Sequence, residues 1–292
     1  MANIVKIKEA HPKLSENTIT NYVKNYNRLI TDGGDIKELL MAKPLATRHQ
    51  YLWSIKTVMP HQSIKDKELL EWVDGQIDTG KKELKQYYQE QAKSKKESEN
   101  WITLKELQKY NKKLRQVALT TKKTQDMRNW ILTSLYVLDP VNHPPMRVDY
   151  NMEIVNGLQE LDKNKNYLVK INKSKKEFVF NDYKTNKAHG EIRIPLSRKM
   201  NAAMNIYLST LGSDPKFLFQ DKLGKQITKN ALQKQITRAF NGTGKTLGVS
   251  MLRHIVISEN VDTGDKLKDK NEMAEKMGHS TSTQEIYKKF DK

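Results

Sequence analysis

Between Lys81 and Asn100 the chain reads KKELKQYYQEQAKSKKESEN, a polar and basic run without the apolar stripes found on either side of it. A folding unit needs a contiguous apolar core, so this interruption implies two parts that each bury their own side chains. The run itself suits a linker or a solvated helix end. The expected division is a helical domain over residues 1–92, a linker over 93–100 and a larger domain over 101–292.

The first part has the spacing of a small helical bundle. Ile19, Tyr22, Val23, Tyr26, Leu29 and Ile30 recur at helical intervals after a cap at Ser15, and Asp32-Gly33-Gly34-Asp35 stops that helix and starts a short one. Leu45, Leu52, Ile55, Val58 and Met59 form a third amphipathic stretch between Pro44 and Pro60, and Leu69, Leu70, Trp72, Val73 and Ile77 a fourth. The second part opens on Thr103-Leu104-Lys105-Glu106, a capping box. A helix around Trp130 to Val137 ends at Asp139-Pro140, and a loop stiffened by Pro144 and Pro145 leads into Arg147. Between Asn166 and Leu196 the period changes to two, which predicts three short antiparallel strands around Tyr167–Ile171, Glu177–Phe180 and Glu191–Ile194. Helical patterns resume from Lys199. The fold class expected is mainly α with a small antiparallel β-sheet.

Composition narrows the partners. A formal net charge of +18 attracts polyphosphates in a salt-dependent way and points to a nucleic-acid partner. No stretch approaches the roughly 20 apolar residues of a membrane span, and the opening Met1-Ala2-Asn3-Ile4-Val5-Lys6 lacks the apolar region of a signal peptide. A location inside the cell, cytoplasmic or nuclear, is expected. With no cysteine there is no disulfide, thiolate nucleophile or cysteine-bound zinc. The seven histidines are scattered without an H-E-x-x-H pair, and Gly242-Thr243-Gly244-Lys245-Thr246 lacks the spacing of a phosphate-cradling loop. No cofactor and no metal are expected, and no small-molecule substrate. The lysine and asparagine richness fits the AT-rich genome of a virus or mobile element.

The most informative motif lies near the C-terminus: Leu252-Arg253-His254, then Met277-Gly278-His279-Ser280, then Tyr287. A phenol has a pKa of about 10 and attacks poorly unless its surroundings help it. Arginines can grip phosphate oxygens through paired charge-assisted hydrogen bonds, and a histidine can move a proton or donate to the same oxygens. Nine of the 52 basic residues are arginine, so Arg147 and Arg253 come from a small set. Read without its neighbours, Gly278-His279 would be a helix C-cap, and Ile286 and Phe290, four apart, would form a buried pair beside Tyr287.

On these motifs, with Arg147 upstream and Lys184 between the second and third strands, the chain resembles the tyrosine recombinases, the phage-integrase type of site-specific DNA recombinase. The resemblance implies a helical core-binding domain followed by an α+β catalytic domain, and a homotetramer on two DNA sites. It implies that Arg147 and Arg253 hold the scissile phosphate and that Tyr287 attacks it to leave a 3′-phosphotyrosine. Lys184 would protonate the departing 5′ oxygen, and His279 would donate to a phosphate oxygen. The family's H-x-x-R-H pattern is departed from at Ser250, which stands where the first histidine is usual, so the base role falls between Ser250 and His254. Tyr150 stands where an acidic residue is expected, with Asp149 one place short, and the interval from His279 to Tyr287 is about one residue short. Two other functions share this chemistry or this charge: a type IB DNA topoisomerase and a basic DNA-binding protein without catalysis.

Overall fold

The computed structural model describes residues 4–63, 65–157, 160–221, 223–260 and 267–290; Met1-Ala2-Asn3 of the opening segment, and 261–266 and 291–292 of the closing helical region, lie outside them. The chain divides after Glu90 into two compact units.

In the first unit, α1 (Ile4–Ala10), α2 (Glu16–Asp32), α3 (Ile36–Met41), α4 (Leu45–Val58) and α5 (Lys67–Gln89) surround a core of residues such as Ile19, Leu29, Leu52, Ile55, Val73 and Ile77. Local chemistry sets the boundaries. Ser15 accepts the Thr18 N–H at 3.1 Å to start α2, Gly33 and Gly34 leave it with φ of 67° and 87°, and Asp35 accepts the Lys37 N–H at 2.7 Å to start α3. Ile30, expected on the inward stripe, is 51% exposed, while its neighbour Leu29 is buried. The last buried residue of α5 is Gly80, where an added Cβ would stand 3.0 Å from the His49 ring. Beyond it the helix runs on for nine solvated residues.

In the second unit, residues 93–100, read above as a linker, contain α6 (Lys95–Asn100), whose capping box joins Ser94 and Glu97. Then follow α7 (Leu104–Thr121), started by the expected box at Thr103 and Glu106, and α8 (Thr124–Val137), buried throughout from Trp130 to Val137. The sheet has four strands in the order β1 (Glu153–Asn156), β2 (Tyr167–Lys170), β3 (Lys176–Phe180) and β4 (Ile192–Pro195), with α9 (Asn186–His189) in the β3–β4 connection. The three expected strands, β2 to β4, pair antiparallel as read, and β1, which the periodicity did not mark, adds a parallel edge that makes the sheet mixed. The remaining helices are α10 (Arg198–Leu208), α11 (Lys229–Ala239), α12 (Val249–Asn260), α13 (Leu267–Lys276) and α14 (Thr281–Tyr287).

Leu168, Phe178, Phe180 and Ile194 turn one sheet face into the main core, while Tyr167, Val169 and Val179 make a small second cluster on the other. Tyr150 lies at the centre of the main core. Its ring meets Tyr136 at 6.0 Å and both Phe178 and Phe180 at 5.6 Å, and its hydroxyl accepts the Met146 N–H at 3.4 Å. No described helix is long and apolar enough to cross a membrane. Tyr150→Ala is expected to lower the unfolding free energy by ~3 kcal/mol, as other buried aromatic truncations do, read as a fall in the urea midpoint.

Candidate active site

Two arginines, two histidines and one phenol meet at one end of the second unit. Arg147 follows the buried Pro144-Pro145-Met146 segment, and its backbone carbonyl accepts the Tyr136 hydroxyl at 2.8 Å, so the aromatic core fixes the root of an exposed side chain. Its Nη2 donates to the Tyr287 hydroxyl at 3.3 Å. Arg253 comes from α12, a helix buried on nearly every side, and is itself 2% exposed. Its guanidinium carbon lies 5.1 Å from the centre of the Tyr287 ring, and its Nε has no hydrogen-bond partner. Neither arginine forms an ion pair among the described residues. Burial lowers the Arg253 pKa, and Arg147 adds to that effect, whereas Tyr287 and Asp149 oppose it.

His279 is placed by a helix end. Gly278, at φ 65°, donates to the Glu275 carbonyl at 2.9 Å, and His279 N–H donates to Ala274 at 3.1 Å, the paired bonds of a Schellman cap on α13. The C-cap reading of Gly278-His279 therefore holds, and the same cap brings His279 to the Tyr287 ring. Glycine is required here twice over, since a Cβ would also stand 2.9 Å from the Tyr183 ring. The Gly278 carbonyl accepts the Thr185 hydroxyl, which ties the β3–β4 connection to this turn. Ser280 then caps α14, accepting the Thr283 N–H at 3.2 Å, and Tyr287 is the last residue of that helix.

The His279 ring stacks on Tyr287 with centres 5.6 Å apart and planes 6° apart. Its Nδ1 faces the Ser280 carbonyl at 3.1 Å, which requires the proton on Nδ1 and leaves the buried Nε2 as a lone pair without a partner. Burial pushes its pKa down to about 4. His279 thus stands neutral, and it donates from Nε2 only after taking up a proton, which a bound anion would favour. His254 meets the Tyr287 ring edge to face, with centres 4.8 Å apart and planes at 73°. Its Nδ1 is 2.7 Å from Glu97 Oε1. Burial lowers the His254 pKa against the opposing pull of Glu97.

Lys184 is exposed in the β3–β4 connection, between buried Tyr183 and the Thr185 that bonds Gly278; its side chain makes no hydrogen bond or ion pair among the described residues. Ser250 is exposed on the first turn of α12, one turn before Arg253, and likewise makes no such contact. Asp149 is buried and points to Lys229, 3.1 Å away, which also holds Asp182 at 2.9 Å. Ile286 and Phe290 are 41% and 49% exposed, which corrects the buried pair read from their spacing. Helix α14 stops at Tyr287, and Phe290 instead pairs through its backbone with Gln91 and Lys93. The residue that sequence reasoning missed is Glu97, although Ser94-x-x-Glu97 repeats the capping-box pattern recognised at Thr103. Among the described residues no three His, Asp or Glu side chains gather as a metal ion needs. His143 is a core histidine: its Nε2 accepts the Ser197 N–H at 2.7 Å, its ring packs on Phe178, and burial brings its pKa to about 4.

The crystal structure of XerA recombinase aligns with 99% of this chain and 93% of its own length, at 13% identity and a TM-score of 0.42. XerH site-specific recombinase bound to its difH substrate in a pre-cleavage complex aligns with 99% of this chain and 82% of its own, at 18% identity and a TM-score of 0.49. Its post-cleavage complex on palindromic difH aligns with 95% of this chain and 76% of its own, at the same identity and score. No protein-family model and no curated protein matches the chain. At these identities and scores the functional reading rests on the side chains themselves.

His143 and His279 have folded pKa values below the ordinary 6.5. Between pH ~6.5 and about 4 the unfolded chain binds protons that the folded chain refuses, so this contribution to stability is complete above that window and is lost as pH falls through it. The loss is on the order of 2–3 kcal/mol per imidazole at the acid end. Urea midpoints at pH 7 and pH ~4.5 should therefore differ less in His279→Gln than in the wild type.

Proposed function

We propose that this chain is a site-specific DNA recombinase or integrase that cleaves and rejoins strands through a 3′-phosphotyrosine on Tyr287. One observation carries the reading: two guanidinium groups with no carboxylate of their own converge on a single phenol. Phosphodiester attack spreads negative charge over the equatorial oxygens, and fixed positive charge in a partly dehydrated site stabilises it strongly. Arg147 and Arg253 fill that role, the second from a buried position where its charge acts through little water. His279 takes up a proton as the phosphate arrives and then donates to it. Lys184, unpaired at the β3–β4 connection, protonates the departing 5′ oxygen. The phosphotyrosine keeps the energy of the broken bond, so a second 5′ hydroxyl can reseal the strand without ATP. The +18 charge supplies attraction to double-stranded DNA, and strand exchange between two sites calls for a homotetramer on DNA. Such an enzyme works inside the cell, and integration of a virus or mobile element is a use that fits it.

The test is a pool of nicked duplexes of varied sequence, from which the short fragment bearing the released 5′ hydroxyl escapes after cleavage, so that the adduct is trapped. The wild type should form a covalent complex resistant to denaturant, and Tyr287→Phe should form none. Arg253→Ala should slow adduct formation by ~10²–10³-fold, the loss typical of one transition-state donor. Relaxation of supercoiled plasmid without site dependence would instead identify a topoisomerase, and DNA binding without any adduct would end the enzymatic reading.

A further inference from the structure

Ser250 is exposed and its hydroxyl makes no hydrogen bond to Tyr287 among the described residues, so another proton acceptor is sought for the phenol. Two imidazoles touch its ring. A ring nitrogen accepts a proton in the plane of its own ring. The His279 plane lies 6° from that of Tyr287, so its lone pair runs alongside the phenol, whereas the His254 plane crosses at 73°. His254 is also the one held by a carboxylate.

Glu97 divides its two oxygens. Oε2 accepts the Ser94 N–H at 2.8 Å and the Ser94 hydroxyl at 2.7 Å, while Oε1 is left for His254 Nδ1 at 2.7 Å. Burial works to raise the Glu97 pKa, but the Ser94 bonds and His254 outweigh it and hold the carboxyl below its ordinary value. An ionised carboxylate only accepts, so it fixes the proton of neutral His254 on Nδ1 and leaves a lone pair on Nε2. The backbone carrying Glu97 is anchored to the stretch that follows the nucleophile, since Phe290 N–H donates to Gln91 at 3.0 Å and Lys93 N–H donates to Phe290 at 3.2 Å.

Resting on the strand-cleaving function above, we propose that His254 is the proton acceptor for Tyr287 and that Glu97 is its positioning residue, a carboxylate–imidazole pair doing the work of the histidine missing at Ser250. In the cleavage step the phenol oxygen forms its bond to phosphorus and the phenol proton passes to His254 Nε2, directly or through one water. The bond from phosphorus to the 5′ oxygen breaks, its electron pair stays on that oxygen, and Lys184 supplies the proton. Reach of this kind commonly tightens only in the reacting complex.

Glu97→Gln tests the pair. A glutamine can keep its oxygen toward Ser94 and so preserve the cap, but it then turns its amide N–H₂ toward Nδ1 and drives the imidazole to the opposite tautomer, a change that can cost up to ~10⁴-fold where a carboxylate orients a catalytic histidine. In full-length protein with ¹⁵N-labelled histidine, the wild type should show His254 protonated on Nδ1 and Glu97→Gln should show it on Nε2. On a trapped nicked duplex, Glu97→Gln should slow single-turnover adduct formation at least ~100-fold with the Kd for DNA unchanged. Placing 3-fluorotyrosine at position 287, whose phenol loses its proton more readily, should shrink that defect at least tenfold, by about 1.4 kcal/mol; a merely structural defect would stay the same. His254→Gln serves as the second variant, and combining it with Glu97→Gln should add nothing to either loss. An unchanged tautomer, a wild-type rate in Glu97→Gln or a defect indifferent to fluorination would overturn the proposal. A wild-type chain with the stated tautomer but no adduct on any duplex supports the pairing and refutes strand cleavage.

Discussion

An arginine buried to 2% exposure without a carboxylate partner is costly to maintain, and the C-terminal half of this protein is organised around that condition. A guanidinium keeps its charge in nearly any surroundings, so the environment has to accommodate it. Here the accommodation is partial. The face of Tyr287 lies over the cation, the field of Asp149 favours it, and its Nε is left without a hydrogen bond. The unmet part of that demand is an affinity for an anion, and the second guanidinium, on Arg147, reaches the same phenol. Stability is given up locally, and the site is ready to receive negative charge.

The geometry around that cation comes from ordinary local rules. A Schellman cap turns the chain so that His279 faces back onto Tyr287, a serine N-cap starts the seven-residue helix that ends on Tyr287, and a capping box leaves one carboxylate oxygen free for His254. Each motif satisfies backbone groups that a helix end would leave unpaired, and each also aims a functional side chain. The β3–β4 connection joins the same turn through Thr185, so sheet and helices are tied together beside the phenol.

Much of this was legible in the residues. The caps at Ser15, Asp35 and Thr103, the apolar spacing of α2, α4 and α5, and the period-two stretches of β2 to β4 are local signals, and the order Arg253, Gly278-His279, Tyr287 picked out side chains that the fold brings together. What escaped the sequence depended on distant contacts or short segments. Strand β1 is four residues of mixed character, and only its parallel register with Tyr167–Lys170 makes it part of the sheet. Ile286 and Phe290 looked like a helical pair, but a helix that stops at Tyr287 cannot bring them to one face. Glu97 was hidden because a polar, basic run reads as solvated, whereas its role comes from a histidine 157 positions away. Tyr150 stands where the resemblance called for an acidic residue, and its position belongs to the aromatic core, where an ionised side chain would be stranded.

The short stretch that follows Tyr287 is moored as well as the helix that precedes it: Lys289 N–H donates to the Ser258 hydroxyl at 2.9 Å, and Phe290 is hydrogen-bonded to Gln91 and Lys93. Three residues of chain span about 10 Å at full stretch, and here part of that slack is already taken up. On so short a leash the Tyr287 phenol has little reach of its own. If a phosphodiester is the substrate, most of the approach has to come from the nucleic acid rather than from the phenol.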